Sequence, residues 1–131
     1  MPTFTVQEWI DAYHRAWVTA DADLVTTLFT ADGSYRDNIL EEPHVGTEQI
    51  KAYWSSVTDD QSKVDLEMGS PFVDGNRVAV EFWANMSVEG EPVTLPGCLL
   101  LNFDEDGLCT SLREYWLYQP GTFSPPHEWG S

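Results

Sequence analysis

Hydrophobic residues change their spacing partway along the chain, and that change divides it into two halves. Over residues 5–19, Val6, Trp9, Ile10, Tyr13 and Trp17 recur at helical spacing as one apolar stripe. Thr5 followed three residues later by Glu8 fits a capping box at the start of that helix. "DADLVTTLF" predicts a second short helix, capped by Asp21 or Asp23, with Leu24, Val25, Leu28 and Phe29 facing inward. "ADG" then predicts a break, "SYRDN" a short extended piece, and "ILEEPHVG" a polar loop. A third helix starts near Thr47 and carries Ile50, Tyr53, Trp54 and Val57 on one side.

After residue 62 the period becomes two, and three turn signals divide the stretch into four antiparallel strands: "DGN" at 74–76, "EGE" at 89–91 and "DEDG" at 104–107. In the second strand Val78, Val80, Phe82, Ala84, Met86 and Val88 form the inner set. In the third, Val93, Leu95, Gly97, Leu99, Leu101 and Phe103 do so. Placing Phe103 opposite Leu108 puts Leu99 opposite Leu112 and Gly97 opposite Glu114. In "TSLREYWLY", Leu112, Glu114 and Trp116 then point inward, with Glu114 beside a glycine that leaves it space. A buried carboxylate is costly unless it is paired or used, so Glu114 is a candidate for chemistry. Three helices ahead of a curled four-stranded sheet make an α+β domain over residues 1–119, and a bent sheet under helices can leave a pocket. "QPGTFSPPHEWGS" predicts an irregular tail over 120–131 that docks through Phe123 or Trp129.

Composition narrows the partners. With 22 acidic residues against six Lys and Arg, the formal charge is −16, which argues against nucleic acid and anionic membrane surfaces. Cys98 and Cys109 lack metal or redox spacing, and His14, His44 and His127 make no paired-ligand pattern, so no metal is expected. The chain shows no glycine-rich cofactor fingerprint, so no cofactor is expected either. No apolar run is long enough to span a bilayer and no signal peptide is visible, which sets a cytoplasmic location as the expectation.

One further pattern spans the first half: D-x-x-x-x-x-x-L-F-x-x-D-x-x-Y-x-D over residues 21–37, then P-x-x-G-x-x-x-I-x-x-Y over 43–53. With the order helix, helix, short strand, helix, four strands, it resembles the nuclear transport factor 2-like superfamily, which includes ketosteroid isomerases, SnoaL-like polyketide cyclases and limonene epoxide hydrolases. The resemblance implies a cone-shaped, cystatin-like curved antiparallel sheet with three N-terminal helices enclosing a pocket, and dimerisation through the outer sheet face. There Trp83, Tyr115 and Leu117 are exposed aromatic and apolar residues in need of cover. It places Asp37 at the position of the isomerases' general base, Tyr13 at that of their enolate donor, and Trp54 at that of a supporting aromatic. Leu99 stands where their second donor, a protonated aspartic acid, would be. "LREYW" is similar to the last strand of the epoxide hydrolases, with Glu114 matching their acid. Tyr35 and Asp37 match their water-binding pair, while Phe82 and Ala84 replace their Arg-x-Asp.

The expected site is therefore Asp37, Glu114, Tyr13 and Tyr35, with His44 beside them. Its expected lining is Trp54, Phe82, Met86, Leu95, Leu99, Leu112, Trp116 and Phe29. Two carboxyls in an apolar pocket hold each other's charge in check, so that one can act as base and the other as acid. The implied activity is isomerase- or cyclase-type acid–base chemistry on a hydrophobic cyclic carbonyl compound such as a steroid, polyketide or terpenoid. Hydrolase or dehydratase chemistry with an activated water, and a noncatalytic ligand-binding module, are the alternatives.

Overall fold

The computed structural model describes residues 4–131. The elements run α1 (Val6–Val18), α2 (Ala22–Thr26), β1 (Phe29–Arg36), β2 (His44–Val45), α3 (Thr47–Asp59), β3 (Gln61–Met68), β4 (Phe72–Asp74), β5 (Arg77–Val88), β6 (Glu91–Phe103), β7 (Cys109–Trp116) and β8 (Gln119–Pro120). The strands form one curved, unclosed sheet in the order β2-β1-β7-β6-β5-β3, with β4 also on β5 and β8 also on β6. This is the α+β architecture expected from the change of period.

Local chemistry accounts for the element ends. Thr5 Oγ1 accepts from the Glu8 amide at 3.1 Å while Glu8 Oε1 accepts from the Thr5 amide at 2.8 Å, which closes the capping box of α1. Asp21 caps α2 by accepting from the Leu24 amide. Between β5 and β6 the two turn residues, Glu89 and Gly90, have φ of 52° and 85°. Positive φ at both positions is the type I′ geometry that matches the twist of paired strands. The stripe of α1 packs onto the inner sheet face, burying Trp9, Ile10, Tyr13 and Trp17 against Phe82, Leu99, Leu101 and Leu112. Two buried indoles find partners as they go in: Trp9 Nε1 donates to the Leu28 carbonyl at 2.8 Å, and Trp17 Nε1 donates to Gln61 Oε1 at 2.8 Å.

Four details depart from the sequence reading. "ADG" does not break the chain; it lies within β1 as an irregularity between Phe29 and Ser34, where Gly33 comes close to the Cys109 carbonyl. β1 runs parallel to β7, so the sheet is not wholly antiparallel. The stretch read as the first long strand is two, β3 and β4, both paired to β5. The β6–β7 ladder sits two residues from its expected register: Leu99 faces Glu114, Leu101 faces Leu112 and Gly97 faces Trp116. The cause is the "DEDG" connection. Asp104 Oδ1 accepts from the amides of Asp106 and Leu108, Phe103 pairs with Cys109 rather than Leu108, and a bulge follows at Thr110. A shift of two preserves the face, so Glu114 still points inward.

The tail is ordered against the outer sheet face. β8 pairs with Val93 and Thr94, the Phe123 carbonyl accepts from Trp83 Nε1 and Asn85 Nδ2, and Trp129 packs edge-on to Trp83.

Candidate active site

Three elements bring one polar cluster together. Tyr13 comes from the buried stripe of α1, Tyr35 from β1, and Glu114 from β7 two residues beyond Leu112, which is the partner of Tyr35 in the parallel ladder. Both tyrosines are fully buried. Tyr35 Oη donates to Glu114 Oε2, Tyr13 Oη donates to the same oxygen at 3.3 Å, and the two hydroxyls lie 3.0 Å apart. Rings of Trp9, Trp54 and Phe29 surround the pair and fix their orientation.

The electrostatics follow from this enclosure. Burial pushes the Glu114 carboxyl from its ordinary 4.5 up to about 7, and the charge of Asp37 adds to the push; the Tyr35, Tyr13 and Trp116 side chains pull the other way by hydrogen bonding. Burial and the Glu114 charge together hold Tyr13 and Tyr35 well above the ordinary tyrosine range, and Tyr53 is raised for the same reasons. All three therefore remain neutral at physiological pH. Near neutrality, Glu114 is the member of the cluster that changes charge.

The half-buried Glu114 lines a cavity of about 190 Å³ together with the fully buried Tyr13 and Tyr35 and the exposed Asp60 and Tyr118. Trp54, Phe82, Leu95 and Trp116, four of the expected lining residues, form its walls. Met86, Leu99, Leu112 and Phe29 do not; they are buried in the packed core. Trp17, Tyr53 and Val57 line the cavity and were not anticipated as lining. Each lies on a helical stripe, and an apolar stripe reads the same whether it faces a core or a hollow.

Asp37 and His44 stand together, outside the walls of this cavity. Asp37 follows β1 and lines an open groove of about 720 Å³, into which Glu114 and Trp116 also reach from the other side. His44 lies in β2 opposite Tyr35, with Nε2 3.0 Å from Asp37 Oδ1 and its ring stacked on Tyr53 at 4.4 Å. The pairing of strand β2 with β1 brings His44 out of the polar loop predicted for it. Asp37 thus acts on the cavity through its charge on Glu114, not as a wall residue. Among the described residues no group of His, Cys, Asp and Glu is arranged to hold a metal ion, and no helix is long and apolar enough to cross a membrane.

Comparison with known proteins gives this arrangement a context. A family model described as the SnoaL-like domain matches residues 10–112. A protein of ketosteroid isomerase-like fold from Catenulispora acidiphila DSM 44928, in complex with trimethylamine, is 26% identical with a TM-score of 0.75, covering 85% of this chain and 86% of its own. The epoxide hydrolase/cyclase-like enzyme SalBIII, of pyran ring formation in the polyether salinomycin, is 21% identical with a TM-score of 0.76, covering 88% and 95%. A protein from Shewanella denitrificans OS-217 described as a SnoaL-like polyketide cyclase is 17% identical with a TM-score of 0.73, covering 85% and 89%. No curated protein matches the sequence.

Proposed function

The chain belongs to the SnoaL-like domain family, and with it to the nuclear transport factor 2-like superfamily; from that premise we propose that it is an enzyme of cofactor-free acid–base chemistry, isomerase- or cyclase-like, acting on a hydrophobic cyclic carbonyl compound. The observation that carries this reading is a carboxyl raised to about 7, held by two neutral tyrosine hydroxyls and lining an aromatic cavity. A general base works best with a pKa near the working pH, and burial has brought Glu114 there.

In this reading Glu114 takes a proton from the carbon beside the carbonyl. Both tyrosines bond to Oε2, which leaves Oε1 clear of them for the incoming proton. Once protonated, Glu114 is a poorer acceptor. Tyr13 or Tyr35 can then donate to the enolate oxygen, and one such donor is worth about 3 kcal/mol in the transition state. The proton returns at another carbon for isomerisation, or the enolate attacks an internal electrophile for ring closure. Asp37 with His44 forms the second acid of the site, reached from the groove side. The proposal includes a homodimer through the outer sheet face, where Tyr115 and Leu117 are 42% and 71% exposed.

Turnover of a cyclic β,γ-enone and of a cyclic epoxide by the parent, Glu114→Gln and Asp37→Asn tests the reading. Conversion of the enone that falls about 100-fold in Glu114→Gln, with a smaller loss in Asp37→Asn, supports it. No turnover of either compound, or equal rates in the parent and Glu114→Gln, overturns it in favour of a binding module. Turnover of the epoxide alone moves the assignment to a hydrolase.

A further inference from the structure

The cavity's lining is as notable for its charge as for its greasiness. Of its fifteen residues eight are aromatic, two are acids, and none is Lys, Arg or His. Of the two acids Glu114 is half-buried and Asp60 exposed. Aromatic faces carry the negative part of the ring quadrupole and attract cations, most strongly where water is excluded. A neutral ligand buries apolar area here, whereas a cation also sets a charge opposite the Glu114 carboxylate when that group is ionised. Among the described residues its hydrogen-bond partners are all neutral.

We propose that this cavity binds small methylated ammonium cations, with the alkyl groups against the rings of Trp17, Trp54, Phe82 and Trp116 and the charge toward Glu114. The walls favour an alkylated nitrogen over a primary one. A primary ammonium brings three N–H donors that each need an acceptor, whereas the walls besides Glu114 are mainly rings and aliphatic chains. A fully alkylated nitrogen needs none. The same walls disfavour a bare metal ion, which would require several oxygen ligands at once. A formal charge of −16 on the whole chain raises the local concentration of any cation before it enters. The inference rests on the cavity being the ligand site, and not on any reaction taking place there.

Choline and its neutral carbon isostere 3,3-dimethylbutan-1-ol differ by one charged atom, and calorimetric titration of the two measures what that charge contributes. At about pH 8, above the Glu114 value, and about 0.15 M salt to screen surface attraction, choline is expected to bind at least about tenfold tighter than the isostere. Glu114→Gln changes only one of 22 acidic residues, so general attraction survives while the preference is expected to vanish. Trp116→Leu, at a position 41% exposed, is expected to weaken choline more than the isostere. Equal affinity for the two compounds, no binding of choline, or a preference that survives Glu114→Gln overturns the proposal. Binding is read without turnover, so this outcome is independent of the enone and epoxide assay.

Discussion

Glu114 stands directly across the β6–β7 ladder from Leu99, a residue with no exposed surface. The carboxylate therefore starts from an apolar neighbour on its own sheet and takes its hydrogen bonds from tyrosines on α1 and β1. That separation of backbone support from polar support explains why its acidity depends on residues distant in sequence.

The first prediction concerns pH. As a base, Glu114 must be ionised, so kcat/KM on the enone is expected to rise with pH through about 7. The groups facing it are Tyr13, Tyr35, Tyr53, Asp37 and Trp116; the tyrosines are held well above their ordinary range, and the Asp37 charge pushes the Glu114 carboxyl up. Asp37→Asn removes that charge and is expected to move the rise to lower pH, which pH–rate profiles of the two proteins would reveal.

Stability should show the same group. The folded protein holds the Glu114 proton more tightly than the unfolded chain does. Its contribution is thus full below about 4.5 and is lost as pH rises through about 7, by at most about 3 kcal/mol. Urea unfolding at several pH values is expected to show this fall in the parent and a flatter profile in Glu114→Gln, with the variant the more stable of the two at about pH 8.

Removing one tyrosine hydroxyl tests the polar support. Tyr35→Phe leaves Glu114 with only the 3.3 Å bond from Tyr13 and is expected to cost about 2 kcal/mol in stability at a pH where Glu114 is charged. Its carboxyl should rise further, shifting the activity profile to higher pH. Tyr13→Phe is expected to act in the same direction by less. Carbon-13 titration of the Glu114 carboxyl would read both shifts.

Gly97 tests the packing of the cavity wall. A Cβ there would overlap the Phe82 ring and come within 2.6 Å of the Tyr115 carbonyl. Gly97→Ala must therefore displace a cavity-lining ring or the β7 backbone, at an expected cost of about 1–3 kcal/mol in urea unfolding. The glycine makes room for Phe82, whereas the sequence reading had it making room for Glu114.

Deleting residues 121–131 removes the Phe123 carbonyl from Trp83 and Asn85, and Trp129 from the Trp83 ring. The expected result is a folded protein about 1–3 kcal/mol less stable in urea unfolding. Unchanged stability would show that the tail does not cover this face in solution.

The strands illustrate how far the chain could be read directly. Alternation from Val78 to Val88 and from Val93 to Phe103 assigned every side chain to a face, because successive residues of a strand must point to opposite sides. The ladder offset could not be read the same way. It depended on how Asp104 folds the connection and where Thr110 bulges, and these are matters of hydrogen bonding within a loop. The face survived the error since the displacement was even.

The site divides along the same line. Local pattern by itself determined the fold class, the two faces of the sheet and the inward direction of Glu114, since helix and strand periodicities are properties of neighbouring residues. Tertiary structure alone decided that Tyr13 and Tyr35 share one oxygen of Glu114, that Asp37 turns to His44 in the groove, and that Leu99 and Leu112 are solid core while Tyr53 and Trp17 border a hollow. Those relations join positions up to 101 residues apart. They arise from how the helices settle on the curved sheet, and a linear pattern of polar and apolar residues carries no record of which buried side chain meets another atom and which meets space.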